Sequence, residues 1–296
     1  MTAKPNFAVT RTAPTALTVT TPYGGAGWEQ WFLLRSDAHH DNLHADHELE
    51  KRHLDLALER NAGILDFGDL FCAMQGKWDK RADVDQLRPE LVSAKYLDRL
   101  VDYNADFYQR YAANWILLGR GNHETSVEKR HETDLTERLA ERLRQAGGAH
   151  VHVGSYAGWV RFQFTRGSRN SSKKVLRYSH GYGGGGPVTR DVIQSARQAV
   201  YLGGADIVVS GHTHDAWELP IMREQLDHLG KPQLDEMVFL KIPGYKDEFS
   251  SGNGWAVEKG MPPKPKGAFW VRFYIDYRRN EKHDERIRFE VTRAKA

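Results

Sequence analysis

The sequence predicts an α/β protein in which short buried strands alternate with helices. Five apolar runs have the length and composition of buried strands, and each ends in a polar cluster: residues 31–34, 63–67, 115–119, 174–178 and 206–210. Four longer segments carry apolar residues three and four positions apart, the spacing of an amphipathic helix: residues 46–60, 89–113, 132–145 and 190–202. This alternation favours a sheet with helices packed outside it.

The length and composition favour one large domain. The chain has 296 residues, of which 40% are hydrophobic and 27% are charged, enough to bury a sizeable core. We expect residues 26–296 to form this domain, with a loop-rich portion over residues 243–267, and residues 1–25 to be a poorly ordered or edge-pairing leader. The 42 basic and 39 acidic residues nearly balance, at a net charge of +3, so charge neither requires nor excludes a polyanionic partner.

Cysteine content and hydropathy indicate the cellular compartment in which the protein is expected. Cys72 is the single cysteine, which excludes an internal disulfide and a four-cysteine zinc site and suits a reducing compartment. The N-terminal residues contain no apolar run long enough for a signal peptide, and no stretch of 18 consecutive apolar residues occurs. We therefore expect a soluble cytoplasmic protein without a membrane partner.

The polar clusters that end the five strands contain the side chains of a metal site. They read SDAHHD, GDLF, GNHE, SHG and GHTH in chain order. In α/β sheets, ligands gather beyond the carboxyl ends of the strands, which is where all five clusters would lie. The clusters supply carboxylate, amide and imidazole groups without thiolate: Asp37, His39, Asp69, Asn122, His180, His212 and His214. This set suits borderline divalent metals such as Mn, Fe, Co, Ni and Zn.

Seven candidate ligands exceed the needs of one ion. Residues two apart on an extended segment point the same way, and the candidates include two such pairs, Asp37 with His39 and His212 with His214. If Asp69 bridges, two ions about 3.5–4 Å apart could share the set, which is the separation used for in-line attack on phosphorus.

Each cluster taken alone has a simpler interpretation. A lone histidine at a strand end is more often a surface residue than a ligand, and an isolated GD or GN is usually a turn. A further His-x-His, formed by His150 and His152, is assigned to a strand without a metal role. Five clusters in one order, each after its own apolar run, favour the metal site.

Taken in order, the five clusters resemble the calcineurin-like metallophosphoesterase superfamily. Its pattern is D-x-H, G-D, G-N-H-[DE], H and G-H-x-H, and the match spans about residues 30–215. The resemblance implies a four-layer α/β/β/α sandwich, and we expect the runs at residues 237–242, 268–277 and 286–291 to complete its second sheet. It also implies two divalent ions as cofactors, with Mn expected first and Fe, Zn, Ni or Co as alternatives.

The resemblance implies a role for each candidate. One ion would be held by Asp37, His39 and His214, the other by Asn122, His180 and His212, with Asp69 as the bridge. His123 would face the leaving-group oxygen, Glu124 would orient His123, and Arg120 would contact the phosphate. A water activated by both ions would attack the phosphoester, without a covalent enzyme intermediate.

We expect the substrate to be a phosphodiester, either a nucleotide or a single-stranded nucleic acid, with a small or protein phosphomonoester as the alternative. A phosphoprotein is less favoured, because LFCAMQG follows Asp69 and lacks the arginine of the Asp-Arg-Gly motif in the protein phosphatases. The related repair nucleases usually have aspartate where Glu124 stands, and they carry a long DNA-binding extension that is not identified here. A non-catalytic scaffold is a further alternative, disfavoured by the presence of His123 and of every ligand.

Two segments are candidates for substrate binding. Residues 165–174 lie between two strand-like runs and are expected to form a hairpin tip whose basic side chains could clamp a phosphate backbone: Arg166, Arg169, Lys173 and Lys174. Residues 243–267 form a long loop rich in Gly, Pro and Lys that could be a lid, with Tyr245 and Trp255 stacking on a nucleobase. The alternatives are a solvated hairpin and an ordered surface loop.

Overall fold

The computed structural model describes residues 5–25, 27–75, 82–167, 169–184, 186, 188–227, 229–250, 255–277 and 285–295. For residues 84, 169–171, 255, 277 and 285 it describes the backbone only. Within this part of the chain, no helix combines the length and the apolarity needed to cross a membrane.

The described residues form 13 strands in two sheets. In chain order the strands are β1 (Ala8–Ala13), β2 (Ala16–Pro22), β3 (Glu29–Arg35), β4 (Gly63–Asp66), β5 (Trp115–Leu118), β6 (His152–Val153), β7 (Ala157–Arg166), β8 (Arg169–Ser179), β9 (Ile207–Ser210), β10 (Trp217–Leu226), β11 (Pro232–Lys241), β12 (Gly267–Tyr277) and β13 (Glu285–Lys295). One sheet has seven strands in the order β1-β2-β7-β8-β9-β11-β10, and the other has six in the order β13-β12-β3-β4-β5-β6. The five predicted strands are confirmed.

Six α-helices occur in the described part: α1 (His47–Glu59), α2 (Tyr96–Tyr108), α3 (Asn122–His131), α4 (Leu135–Gln145), α5 (Val192–Tyr201) and α6 (Trp255–Glu258). Aspartate side chains cap two of them. Asp46 accepts a hydrogen bond from Leu49 N at 3.1 Å, and Asp134 accepts one from Glu137 N at 3.0 Å. Four helices, α1, α2, α4 and α5, fall within the segments whose spacing predicted them. The α/β class is therefore confirmed.

The apolar core lies on both faces of the six-stranded sheet. Successive residues of a strand point to opposite faces. In β4, Leu65 packs among residues of both sheets, whereas Ile64 packs among helix residues such as Leu54. Phe32 and Phe162, one from each sheet, have ring centroids 4.7 Å apart. The two sheets therefore pack face to face, and burial on both sides explains why the β4 and β5 sequences are uninterrupted apolar runs.

A smaller apolar cluster lies beside α5. Val208, Met237 and Phe239 of the seven-stranded sheet pack with Ala199 of that helix. This sheet thus has its own helix contact, apart from the core that it shares with the other sheet.

The segment before residue 26 contains two ordered strands. β1 and β2 form one edge of the seven-stranded sheet, which is the edge-pairing arrangement and not a poorly ordered leader. Leu17 and Val19 are 5% and 0% exposed, so their side chains join the core and order the segment.

The three runs expected to complete the second sheet do not share one sheet. β11 pairs with β9 in the seven-stranded sheet. β12 instead pairs with β3 and brings β13 into the six-stranded sheet. The later strands of the chain thus extend both sheets.

Candidate metal centre

The loops that follow β3, β4, β5, β8 and β9 meet at one end of the two sheets. Within the six-stranded sheet, Asp37 N donates a hydrogen bond to Gly68 O at 2.9 Å. Within the seven-stranded sheet, Gly211 N donates to His180 O, also at 2.9 Å. The two sets are joined by His212 N, which donates to Asp37 Oδ2 at 2.9 Å. Six of the seven predicted ligands lie in these loops, and the seventh, Asn122, is the first residue of α3.

Asp37, His39 and His214 form a first group of potential ligands. His39 Nε2 lies 3.3 Å from His214 Nε2, and His214 Nε2 lies 3.4 Å from Asp37 Oδ1. Two ligand atoms bound to one ion at about 2.1 Å are about 3.0–3.4 Å apart. Asp37 Oδ1 is also buried without a hydrogen-bond partner of good geometry among the described residues. Both observations fit a bound cation.

Asp69, His180 and His212 form a second group. His180 Nε2 lies 3.1 Å from Asp69 Oδ2 and 3.2 Å from Asn122 Oδ1, again the spacing of ligands on one ion. His180 Nε2 is also 3.9 Å from Asp37 Oδ1, so the two groups adjoin. The structure thus brings the predicted ligands together in two sets. The bridging role of Asp69 remains a prediction.

Backbone conformation marks the same residues. Of the ten described non-glycine residues with positive φ, five are predicted ligands: Asp37 (53°), His39 (44°), Asp69 (53°), His212 (73°) and His214 (55°). Such conformations are uncommon for residues with a Cβ, and the strain they carry concentrates at functional sites. The chain is therefore strained where it presents these side chains.

Glycines next to two ligand segments make room for the carboxylates. A Cβ on Gly121 would collide with Asp69 Oδ1, and a Cβ on Gly211 would collide with Ser36 Oγ and Asp37 Oδ2. The glycines of the GNHE and GHTH motifs are thus required by close approach between loops.

The electrostatics of the centre favour positive charge. Burial alone would raise the pKa of Asp37 and of Asp69, yet the charge of His180 holds both pKa values below their usual range. Burial alone would lower the pKa of His180, but Asp69 and Asp37 raise it to about 10. Burial keeps the pKa of His39 well below its usual value. Two buried carboxylates beside a neutral imidazole provide the negative charge and the donor atoms that bind a divalent cation.

His123 lies beside both groups and is held by main-chain contacts. Its Nδ1 is hydrogen-bonded to the carbonyl oxygen of Cys72, and its own N donates to Asp69 Oδ1 at 2.9 Å. Its Nε2 lies 3.7 Å from Asp69 Oδ2, and its ring centroid is 4.8 Å from that of His39. Nε2 is therefore the atom available to a substrate. No sequence pattern indicated that Cys72 would position His123.

Glu124 was expected to orient His123, and the structure assigns it other partners. Its carboxylate accepts three main-chain hydrogen bonds, from Gly121 N at 2.7 Å, Asp69 N at 3.0 Å and Phe71 N at 3.0 Å. Burial, followed by the charge of Asp69, raises the pKa of Glu124 to about 8. Glu124 therefore fixes the loop that presents Asp69, because its position in the first turn of α3 faces that loop.

Arg120 was expected to contact the phosphate, and its guanidinium is engaged elsewhere. Nη1 donates to Gly154 O at 2.9 Å, and Nη2 is hydrogen-bonded to Asp134, the residue that caps α4. Neither partner is a predicted ligand. Arg120 thus ties the end of β5 to the start of α4, which accounts for a largely buried cation at this position without a substrate.

A cleft of about 770 Å³ opens over the centre. Its lining includes His39, His123, His212 and His214, together with residues of the 243–267 segment: Lys246, Glu248, Phe249, Met261 and Lys264. The sequence indicated this segment and its aromatic residues, Phe249 among them, but not Lys246, Glu248, Met261 or Lys264.

The two aromatic residues predicted to bind substrate in this segment have different outcomes. Tyr245 is fully buried, its hydroxyl lies 3.0 Å from His53 Nδ1, and its ring faces the Arg35 guanidinium at 5.3 Å. Tyr245 therefore cannot stack on a nucleobase, because it belongs to the core beneath the centre. The side chain of Trp255 lies outside the described residues.

The basic hairpin is present but lies far from the centre. β7 and β8 pair up to Arg166 and Arg169, and Lys174 forms an ion pair with Asp206 at 2.7 Å. Arg166 faces the ring of Tyr23 at 5.9 Å. The side chain of Arg169 lies outside the described residues. β8 has 11 residues between the tip and His180. At about 3.3 Å per residue, the tip is roughly 30 Å from the centre.

Comparisons with known proteins place few constraints on this chain. No protein-family model matches the sequence, and no curated protein matches it. Among solved structures, the chain is similar to Vps29 of Chaetomium thermophilum, with 9% sequence identity and a TM-score of 0.36 over 90% of this chain and 97% of that chain. A likeness at this level carries no argument about function. The functional assignment therefore depends on the geometry of the centre.

Proposed function

We propose that the protein is a phosphoester hydrolase that uses two divalent metal ions, built on the four-layer α/β/β/α sandwich of the calcineurin-like metallophosphoesterases. One observation carries the proposal: seven predicted ligands from five separate segments lie in two adjoining groups at the spacing of ligands on metal ions. The face-to-face sheets, with helices against both, support the four-layer arrangement.

Each group would hold one ion. Asp37, His39 and His214 would bind the first ion, and Asn122, His180 and His212 the second, with Asp69 shared between them. When bound, the two ions would neutralise the phosphoryl oxygens and lower the pKa of a coordinated water. The carboxylate, imidazole and amide donors fit Mn first, with Fe, Zn, Ni or Co as alternatives.

His123 would give a proton to the leaving-group oxygen. Its Nδ1 is occupied by the Cys72 carbonyl, so Nε2 is left to carry the transferred proton. Asp69 Oδ2 lies 3.7 Å from Nε2. Glu124 contributes indirectly by holding the Asp69 loop against α3.

We infer that the substrate is a phosphodiester of nucleotide size. A cleft of about 770 Å³ is within the usual range for a small-molecule site. Phe249 and Met261 contribute apolar surface to its lining, which suits an organic group on the phosphorus. Because the basic tip is at the opposite end of β8, a polynucleotide clamp is not part of this proposal.

The test is metal-dependent hydrolysis by the purified protein. We expect Mn-loaded protein to hydrolyse bis(4-nitrophenyl) phosphate faster than 4-nitrophenyl phosphate, and chelation to abolish both activities until Mn is restored. A panel of cyclic nucleotides, dinucleotides, single-stranded DNA and RNA would then identify the substrate class. Folded, metal-loaded protein that hydrolyses none of these would contradict the proposal and favour a non-catalytic scaffold.

A further inference from the structure

We propose that Lys246 binds an anionic oxygen of the substrate phosphate, as a cationic contact in addition to the metal centre. This inference rests on the proposed phosphoester hydrolysis and adds a residue to it. Lys246 lies outside the five sequence motifs. Its assignment depends on the backbone hydrogen bonds that hold its segment and on its position in the lining of the cleft.

The backbone around Lys246 is fixed to the loop that carries the first group of ligands. Tyr245 N donates a hydrogen bond to Asp37 O at 3.0 Å, and Asp247 N donates to His44 O at 2.8 Å. Lys246 itself forms an isolated antiparallel bridge with the same loop, opposite Ala45. Its Cα therefore has a set position relative to Asp37, which a surface loop would not give it.

The side chain of Lys246 faces the cleft. Its neighbour Tyr245 is fully buried in the core. Lys246, in contrast, lines the cleft together with His39, His123 and His214.

The positive charge of Lys246 affects the electrostatic potential at the metal centre. Burial is the main reason that the pKa of His39 is low, and the positive charge of Lys246 contributes to the same lowering. The Lys246 side chain is only 11% exposed, so solvent screens it weakly. An anion placed at the centre would feel this charge.

Lys246 retains donors for a ligand. Its ammonium is paired with Glu248 Oε1 at 2.8 Å. An ammonium has three N–H donors, so two remain beyond this contact. The other candidate cation, Arg120, is held by Gly154 and Asp134. A second cleft lysine, Lys264, is paired at 2.8 Å with Asp215.

The ion pair with Glu248 allows a test in which two substitutions should change phosphate affinity in opposite directions. The Glu248 carboxylate and a substrate phosphate are both anions attracted to Lys246, so they compete for it. Removing the lysine charge should weaken phosphate binding, whereas removing the glutamate charge should strengthen it. A purely structural ion pair predicts damage from both changes.

The experiment measures binding of radiolabelled inorganic phosphate to Mn-loaded protein by equilibrium dialysis, which does not require turnover. We expect Lys246→Met to raise the phosphate Kd about 10- to 100-fold, as loss of a charge-assisted contact does. Lys246→Arg should keep most of the affinity, and Glu248→Gln should lower the Kd several-fold. Lys259→Met is the matched control, since it removes an exposed lysine of the same segment that does not line the cleft.

The outcomes separate this inference from the proposed function. Unchanged phosphate affinity in Lys246→Met, or weaker affinity in Glu248→Gln with metal content and circular dichroism intact, would overturn the role of Lys246. Wild-type protein that binds no phosphate would also overturn it. Hydrolysis of bis(4-nitrophenyl) phosphate, assayed in parallel, reports on the proposed function alone. Wild-type turnover together with unchanged phosphate affinity in Lys246→Met would therefore reject only the lysine contact.

Discussion

The imidazole Nδ1 of His123 is hydrogen-bonded to the main-chain carbonyl oxygen of Cys72. A carbonyl oxygen only accepts, so Nδ1 carries the proton of this hydrogen bond. Nε2 can then deliver a proton only when the ring carries two. Asp41 fixes the carbonyl in turn, because its carboxylate accepts hydrogen bonds from Cys72 N and from Ala73 N, the latter at 2.9 Å. The orientation of His123 thus depends on the backbone after β4.

Replacing His123 should change chemistry without changing metal binding. We expect His123→Asn to retain its metal content and to lose about 10²–10⁴-fold in turnover on esters with poor leaving groups. On nitrophenyl esters the loss should be much smaller, because a nitrophenolate needs little protonation. Steady-state kinetics on a series of aryl esters measures this.

His152→Asn is the matched control for that change, since His152 lies in β6 and belongs to neither ligand group of the described residues. It should behave as wild type. Equal losses on good and poor leaving groups in His123→Asn would show that His123 acts by charge alone.

Replacing Glu124 should affect stability and metal affinity. A glutamine has one acceptor oxygen where the carboxylate accepts three N–H groups, so Glu124→Gln leaves at least one buried donor unsatisfied. We expect a loss of about 1–3 kcal/mol in the free energy of unfolding, measured by urea denaturation of the metal-free protein. Metal affinity should fall as well, because the Asp69 loop loosens.

Glu128→Gln, on the same helix but half exposed, should be close to neutral. If Glu124→Gln instead kept full stability and altered only the dependence on the leaving group, the orienting role expected from the sequence would be restored.

Replacing the thiol of Cys72 should leave the centre intact. Cys72 lies near His39 and His123 in a third group of potential ligands, but burial raises the pKa of its thiol to about 12. The thiolate that binds metal is therefore scarce near neutral pH. We expect Cys72→Ala to keep its metal content and its leaving-group dependence, because the carbonyl is retained. Loss of one metal ion in this variant, measured by mass spectrometry, would mean that the thiolate is a ligand.

The raised pKa of His180 predicts how the stability of the metal-free protein depends on pH. The pKa rises from 6.5 to about 10, so the proton on His180 stabilises the folded state fully below about pH 6.5. This contribution should be lost as the pH rises toward 10, because Asp37 and Asp69 then face each other without a cation. We expect the melting temperature of chelator-treated protein to fall over this range.

Bound Mn should remove most of that dependence, because the ion replaces the proton between the carboxylates. Calorimetry in buffers of different ionisation enthalpy should show that metal uptake near pH 8 releases protons. A pH-independent melting temperature without metal, or metal uptake without proton release, would contradict the assignment of His180.

Local sequence patterns predicted the buried strands and the positions of the candidate ligands after them. The run at residues 115–118 is buried on both faces, and its apolar composition shows this directly. Each ligand segment follows its own strand, so strand order along the chain was enough to place the candidates at one edge.

The incorrect predictions concern residues whose orientation is determined by contacts with distant parts of the chain. Tyr245 was assigned to the cleft because its loop is rich in Gly and Pro, but Asp37 binds its backbone and turns its side chain into the core. Arg120 was assigned to phosphate, but its guanidinium is bound by Asp134, which caps α4. The strands over residues 8–22 were not identified individually, because the pairing of β2 with β7, which joins this segment to the sheet, connects residues more than 100 positions apart.

The measurement that tests the central claim most directly is the metal content of the wild type and of Asp69→Asn after reconstitution with Mn. We expect about two ions per chain in the wild type. In Asp69→Asn we expect about one ion or fewer, with reduced hydrolysis, because the shared negative charge is lost. Asp102→Asn, a matched change at an exposed site, should keep both ions, as should His150→Ala. Two ions and normal turnover in Asp69→Asn would contradict the shared ligand and the dinuclear centre built on it.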